Sequence, residues 1–189
     1  MSYKRLWIAF GLVIGGSFAV LGFYGHEIYR MKPPIPARVV TSAGTVLFTG
    51  QDIRDGQNVW QSMGGQQVGS IWGHGAYVAP DWTADWLHRE ATWLLNHWAG
   101  RPYEQLEVEA RATLKARLKQ ELRTNTYQPA TGDLVISPVR AEALAAVSAH
   151  YSALFGDDPA LAKLRDAYAI PSNAIKDPDR QRKMNAFFW

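Results

Sequence analysis

Nineteen consecutive positions, Trp7 to Gly25 (WIAFGLVIGGSFAVLGFYG), carry no formal charge. At about 1.5 Å per residue, a helix of roughly 20 residues crosses a hydrocarbon core about 30 Å thick. The run therefore predicts a membrane anchor over residues 1–32. Lys4 and Arg5 precede it, and Trp7, Phe23 and Tyr24 stand near its ends, where amphipathic rings favour the interface. A cleaved signal peptide has an apolar region of only about 7–15 residues followed by a small-x-small site. Here the run is longer and leads into Phe23-Tyr24-Gly25-His26-Glu27-Ile28-Tyr29-Arg30, which offers no such site. Lys4 and Arg5 favour a cytoplasmic N-terminus and a domain on the outer face, although Arg30, Lys32 and Arg38 dilute the asymmetry. With no histidine in the run, this helix by itself cannot hold a haem between two imidazoles.

The rest of the 189 residues suffices for one domain of about 140 residues. No cysteine is present, which excludes disulfides, a C-x-x-C-H haem attachment, cysteine-ligated clusters or zinc sites, and a thiol nucleophile. A net charge of +3 from scattered residues includes no Lys/Arg block suited to a phosphate backbone, so nucleic acid is not an expected partner.

Pro33-Pro34-Ile35-Pro36 forbids helix continuation and opens the domain, expected over 33–176. Two β-prone runs, 38–41 and 45–48 around Ser42-Ala43-Gly44, predict a hairpin. Gly50-Gln51-Asp52 opens a helix with Ile53, Gly56, Val59 and Trp60 on one face, ending at Met63-Gly64-Gly65. Residues 64–81 hold no period and read as a loop. Asp81 or Thr83 caps a helix to about Trp98, stopped by Gly100 and Pro102. A helix over 103–123 follows from Leu106, Ala110, Leu114, Leu118 and Leu122. A second hairpin is expected over 127–136. Ser137-Pro138 and Asp158-Pro159 start two more helices, ending near Gly156 and Tyr168. Asp177-Pro178 opens a last one, which turns apolar at Ala186-Phe187-Phe188-Trp189 and reads as the truncated start of a second membrane helix over 177–189. The expected class is mostly α with minor β.

Most of the unusual composition sits between 63 and 98. Five glycines fall within residues 64–76, and five of the eight tryptophans (72, 82, 86, 93 and 98) within residues 72–98. The loop fails as a phosphate cradle, because no Gly-Lys-Ser/Thr follows and the G-x-G-x-x-G spacing is absent. His74 has no ligating neighbour, so only backbone carbonyls could serve a hard cation such as calcium. Trp82, Trp86 and Trp93 share a helical face that reads as a core stripe or as an exposed surface against a partner. His88 and Glu90 are two apart and form no H-E-x-x-H pair, and Asp85, Arg89 and Glu90 are expected to pair on the surface. Ser62, Ser70 and Ser148 lack a nucleophile context, and His26, His97 and His150 stand apart.

The run from Val40 through Gly50, then Gly56-Gln57, Val59-Trp60-Gln61-Ser62-Met63-Gly64-Gly65-Gln66-Gln67-Val68-Gly69-Ser70-Ile71-Trp72-Gly73-His74-Gly75-Ala76-Tyr77-Val78-Ala79-Pro80-Asp81-Trp82 and Asp85-Trp86-Leu87-His88-Arg89-Glu90, closely resembles the N-terminal part of quinol-dependent nitric oxide reductases. Tyr168-Ala169-Ile170-Pro171, Asn173–Pro178 and Asn185–Phe188 resemble the same family's approach to its second membrane helix. The resemblance implies a member of the haem–copper oxidase superfamily that reduces two NO to N2O and water with quinol electrons. It implies a cytochrome-c-like, haem-free domain on the periplasmic side of the bacterial inner membrane. Gly65, Val68 and Gly69 stand where the related cytochrome subunit has C-x-x-C-H. The backbone carbonyls of Gly75 and Tyr77 are the implied ligands of a calcium. Haem b, the high-spin haem, the non-haem iron and the quinol pocket belong, by the same resemblance, to later membrane helices. This segment is thus expected to cap those helices without being catalytic itself. The alternative is a non-enzymatic anchored subunit working in trans with a separate haem–copper-type protein.

Overall fold

A computed structural model describes residues 3–73 and 75–189. It divides at Ile35/Pro36 into two units. The first is helix α1, Tyr3–Met31, with a mean hydropathy of 2.1 over its most apolar window and no residue buried. It is long and apolar enough to cross a membrane. Arg30 pairs with Glu27 at 2.9 Å at its C-terminal end, where a cation also suits the helix dipole.

The second unit begins with β1 (Arg38–Thr41) and β2 (Val46–Thr49), antiparallel as the sequence predicts. Thr49 then caps α2 (Gly50–Ser62): its hydroxyl accepts from Asp52 N while the Asp52 carboxylate accepts from Thr49 N, a reciprocal capping box. Asp81 caps α3 (Trp82–Ala99), and Gly100 ends it at φ 66°, a left-handed turn that favours glycine. The helix expected from 103 is shorter. Tyr103–Gln105 forms one 3₁₀ turn, Leu106 is extended, and α4 runs Val108–Arg123. Here Tyr103 N donates to Asn96 Oδ1 of the preceding helix at 2.8 Å and ties the segment back onto α3. The leucine stripe of α4 is only half-buried, because this helix covers the edge of the domain.

β3 (Tyr127–Gln128) and β4 (Asp133–Ile136) form the second hairpin, but the two hairpins are one sheet. Its order is β2-β1-β4-β3, with β1 and β4 parallel. Arg38 stitches that register by donating from Nε and Nη2 to the two carboxylate oxygens of Asp133 at 2.9 and 2.7 Å. Such pairing between residues 95 apart leaves no trace in local periodicity.

α5 (Pro138–Phe155) is capped by Ser137 with proline in its first turn. A 3₁₀ turn at Pro159–Leu161 and the short α6 (Ala162–Ala167) follow, and then α7 (Pro178–Phe188). The boundary expected at 176 does not appear in the packing. Met184, Ala186 and Phe188 of α7 are buried in the same core as Val59 and Trp60 of α2 and Tyr151, Leu154 and Phe155 of α5. α7 lies so close to α2 that a Cβ at Gly56 would collide with the carbonyl of Lys183 and the side chain of Phe187. Around that contact Arg182 pairs with Asp52 at 2.7 Å and Lys183 with Asp55 at 3.4 Å.

Candidate functional site

The tryptophan-rich helix does not present an exposed aromatic face. Trp82 and Trp86 are fully buried, while Leu87 beside them is largely exposed. Trp82 stacks on Phe188 with ring centroids 5.6 Å apart and meets Tyr151, Phe155 and Tyr168 edge-on at 6.0, 5.4 and 5.9 Å. Trp86 lies flat on Tyr151 at 5.2 Å. Edge-to-face and offset contacts of this kind suit the ring quadrupoles and bury large apolar areas. Burial and the acceptor Asp85, bonded at 2.6 Å, push the Tyr151 hydroxyl far above the usual phenol range and keep it a donor. Glu90 also departs from expectation. Rather than a surface pair it is a buried carboxylate, 1 % exposed, bonded to Arg140 Nε of α5 at 2.7 Å. Asp85 and Arg89 do pair near the surface, at 2.7 Å.

This packing bears on Gly65, Val68 and Gly69, which the resemblance alone sets against a haem-attachment motif. Gly69 lies directly against the indole of Trp82, so that even a β-carbon there would overlap the ring. Its carbonyl accepts from Trp60 Nε1 at 3.1 Å, and Gly65, at φ 55°, faces the same Trp60 ring. A covalent haem does not fit these residues. There is no thiol to attach it, no imidazole at 69 to ligate it, and the volume beside residue 69 is filled by Trp82.

Between this core and the surface lies the loop 70–81, closed at its base by Ser70 N donating to Pro80 O and Trp82 N to Ser70 O, at 3.2 and 2.9 Å. Asp81 organises it. Its carboxylate accepts from Ser70 Oγ (2.8 Å), Gly73 N, Thr83 Oγ1 and Ala84 N (3.0 Å). Partial burial alone would raise its pKa, but these four donors outweigh it and bring the group down to about 2 from 3.8. Because the folded value is depressed, Asp81 contributes stability above about pH 4 that is lost as pH falls through about 2. Amide exchange at Gly73 and Ala84 is therefore expected to accelerate, relative to the intrinsic acid-catalysed rate, across that window. Protection unchanged down to pH 2 would show that the carboxylate does not hold the loop.

Above Asp81 the chain is turned outward. Trp72 adopts φ 59°, a left-handed conformation uncommon for a large side chain, with its amide on Thr83 Oγ1 at 3.1 Å and its ring 77 % exposed. Tyr77 is 99 % exposed and Val78 half so. Gly75, at φ 75°, meets nothing within 4 Å of where a Cβ would stand, so the need for glycine there is conformational and not steric. His74 lies outside the described residues. Among the described residues no hydrogen bond engages the carbonyl of Gly75 or Tyr77, and no group of three or more histidines or carboxylates forms a metal cluster. The loop's own oxygens suit a hard cation in kind, being backbone carbonyls. They are neutral, and Asp81 is committed to hydrogen bonds, so any cation held by those carbonyls would receive none of its charge compensation from them.

Among its described residues the loop combines a left-handed Trp72, the exposed side chains of Trp72, Tyr77 and Val78, and the carbonyls of Gly75 and Tyr77 without a hydrogen-bond donor. The sequence motif located it; the role of Asp81 as its organiser, signalled only by an N-cap position, came from the structure.

No curated protein sequence matches the chain significantly. Residues 36–189 match the family described as the cytochrome c-like domain of NorB, a nitric oxide reductase subunit. With that match covering the whole sheet and all helices after α1, the chain belongs to the NorB family of nitric oxide reductases through its cytochrome c-like domain.

Proposed function

We propose that this chain is the membrane-anchored, cytochrome-c-like part of a quinol-dependent nitric oxide reductase, with its domain on the periplasmic side of the bacterial inner membrane. Family membership over 36–189, next to a helix long enough to span a bilayer, is the observation that carries the reading. The domain caps catalytic membrane helices, carried on the same longer chain or on a separate subunit, and its loop 72–78 is the contact. Exposed Trp72, Tyr77 and Val78 are apolar groups that such a contact would take out of water. The haem b, high-spin haem, non-haem iron and quinol site belong to those helices and supply, when assembled, the reduction of two NO with two electrons and two protons to N2O and water. This chain's residues orient and shield. Electrons arriving from quinol within the membrane need no haem in this domain, which agrees with the aromatic filling beside Gly69.

Gly75 and Tyr77 would hold a calcium through their carbonyl oxygens, completed by anionic ligands of the partner. In the assembled enzyme Tyr77→Phe is expected to leave the bound calcium unchanged, because it keeps the carbonyl. Gly75→Val should lower it by straining the φ 75° backbone. Elemental analysis of the purified assembly reads both, and calcium lost with Tyr77→Phe or retained with Gly75→Val would remove the backbone role. The wider reading is tested in source membranes by the mass of the polypeptide carrying this segment and by what co-purifies with it. A polypeptide several times larger, or one of 189 residues bound to a haem–iron protein, supports it. Quinol-driven NO reduction by residues 1–189 alone would overturn it.

A further inference from the structure

We propose that the groove between α3 and α5 binds a small oxyanion, a phosphate or carboxylate, either free in solution or carried on an anionic lipid headgroup. The groove has a volume of about 340 Å³ and is independent of the loop surface. His88, Thr92 and Asn96 lie one turn apart along one face of α3, with Arg89 beside them, and His150 of α5 faces them across the groove. Among the described residues no carboxylate lines it.

The polar groups that remain for a ligand are donors. Asn96 commits its Oδ1 to Tyr103 N, leaving its amide nitrogen to give. Arg89 is positioned by Asp85, which also accepts from Tyr151 at 2.6 Å. The charged groups facing His150 are Arg89 and Asp85; burial first, and then Arg89, hold its pKa below the ordinary histidine value. Its Nε2 is buried and has no hydrogen-bond partner among the described residues. Arg89 is already paired with Asp85 at 2.7 Å, and no carboxylate among the described lining residues offers a metal ion an anionic ligand. An oxyanion meets an arginine, an amide, a hydroxyl and imidazoles, with the ring of Trp93 as an apolar wall.

The test titrates inorganic phosphate, at constant ionic strength, into the full chain in a neutral detergent and follows the imidazole NMR signals. Saturable shifts at His88 and His150 are expected. Asn96→Asp keeps the acceptor for Tyr103 N but replaces the donor with a negative charge. It should weaken phosphate by about tenfold or more, the scale of a hydrogen bond to a charged group. Lys119→Gln, on the exposed side of α4, should change nothing. Should Asn96→Asp lose its native melting transition, the exposed His88→Gln serves in its place, with a severalfold loss expected. Repeating the titration in nanodiscs separates the sources. Competition by anionic lipid assigns the site to a headgroup, and indifference to lipid assigns it to a free anion. A linear, non-saturating response, equal binding by the variants, or saturation by zinc and not by phosphate would each overturn the proposal.

Discussion

Replacing Trp82 with alanine is expected to lower the domain's melting temperature by about 10 °C, corresponding to a loss of about 3–5 kcal/mol. The indole is completely buried and contacts four rings from three directions: Phe188 of α7, Tyr151 and Phe155 of α5, and Tyr168 after α6. It also fills the space against Gly69, so truncation opens a cavity on the side where the loop 70–81 is rooted. Surrounding rings cannot close that cavity, because each is held by another element. Trp82→Phe should recover part of the loss by restoring a ring in contact with Phe188. Thermal unfolding of the full chain in detergent, followed by near-UV circular dichroism, measures both. A shift of only a degree or two for the alanine variant would mean the core does not converge on this residue.

Arg140→Met is expected to cost a similar amount, about 3–5 kcal/mol, for an electrostatic reason. Glu90 is buried in the α3–α5 interface, and the only cation bonded to it among the described residues is Arg140, which also lies over the Trp189 ring at 5.4 Å. Removing the guanidinium leaves a carboxylate out of water and without its partner. The double variant Glu90→Leu, Arg140→Met should regain most of the stability, since an apolar pair of similar volume can replace a buried ion pair at little cost. Denaturant unfolding of the single and double variants measures the coupling. Equal losses in Arg140→Met and the double variant would show that packing of the arginine stem, not its charge, matters. By contrast, exposed charges of α4 such as Lys115 and Lys119 should be nearly silent.

Much of the fold is legible one segment at a time. Thr49-x-x-Asp52, Asp81, Ser137-Pro138 and Asp177-Pro178 each cap the helix that follows, because a side-chain oxygen two or three residues from a free amide needs only local geometry. The glycine-rich run around Gly75 is legible as a loop, and its motif points to the family that the match over 36–189 establishes. The break at Leu106 is not legible, because the leucine spacing continues through it and the competing bond from Tyr103 to Asn96 comes from another helix. Nor is the burial of Glu90, since a charged residue beside Arg89 reads as a surface pair until α5 brings Arg140 against it.

Residues adjacent along the chain are enough to establish where it can span a membrane, where the capped helices start, that no covalent haem can attach through cysteine, and which segment departs from ordinary composition. These follow from hydropathy, capping chemistry and the absence of cysteine, all of which act locally. Docking of distant elements settles the rest: the two hairpins join through the parallel pairing of β1 with β4, Trp82 and Trp86 point inward, and α7 belongs to the core. Each of these depends on residues tens of positions apart meeting in space, and their energies, from ring packing and a buried ion pair, arise only once the elements are docked.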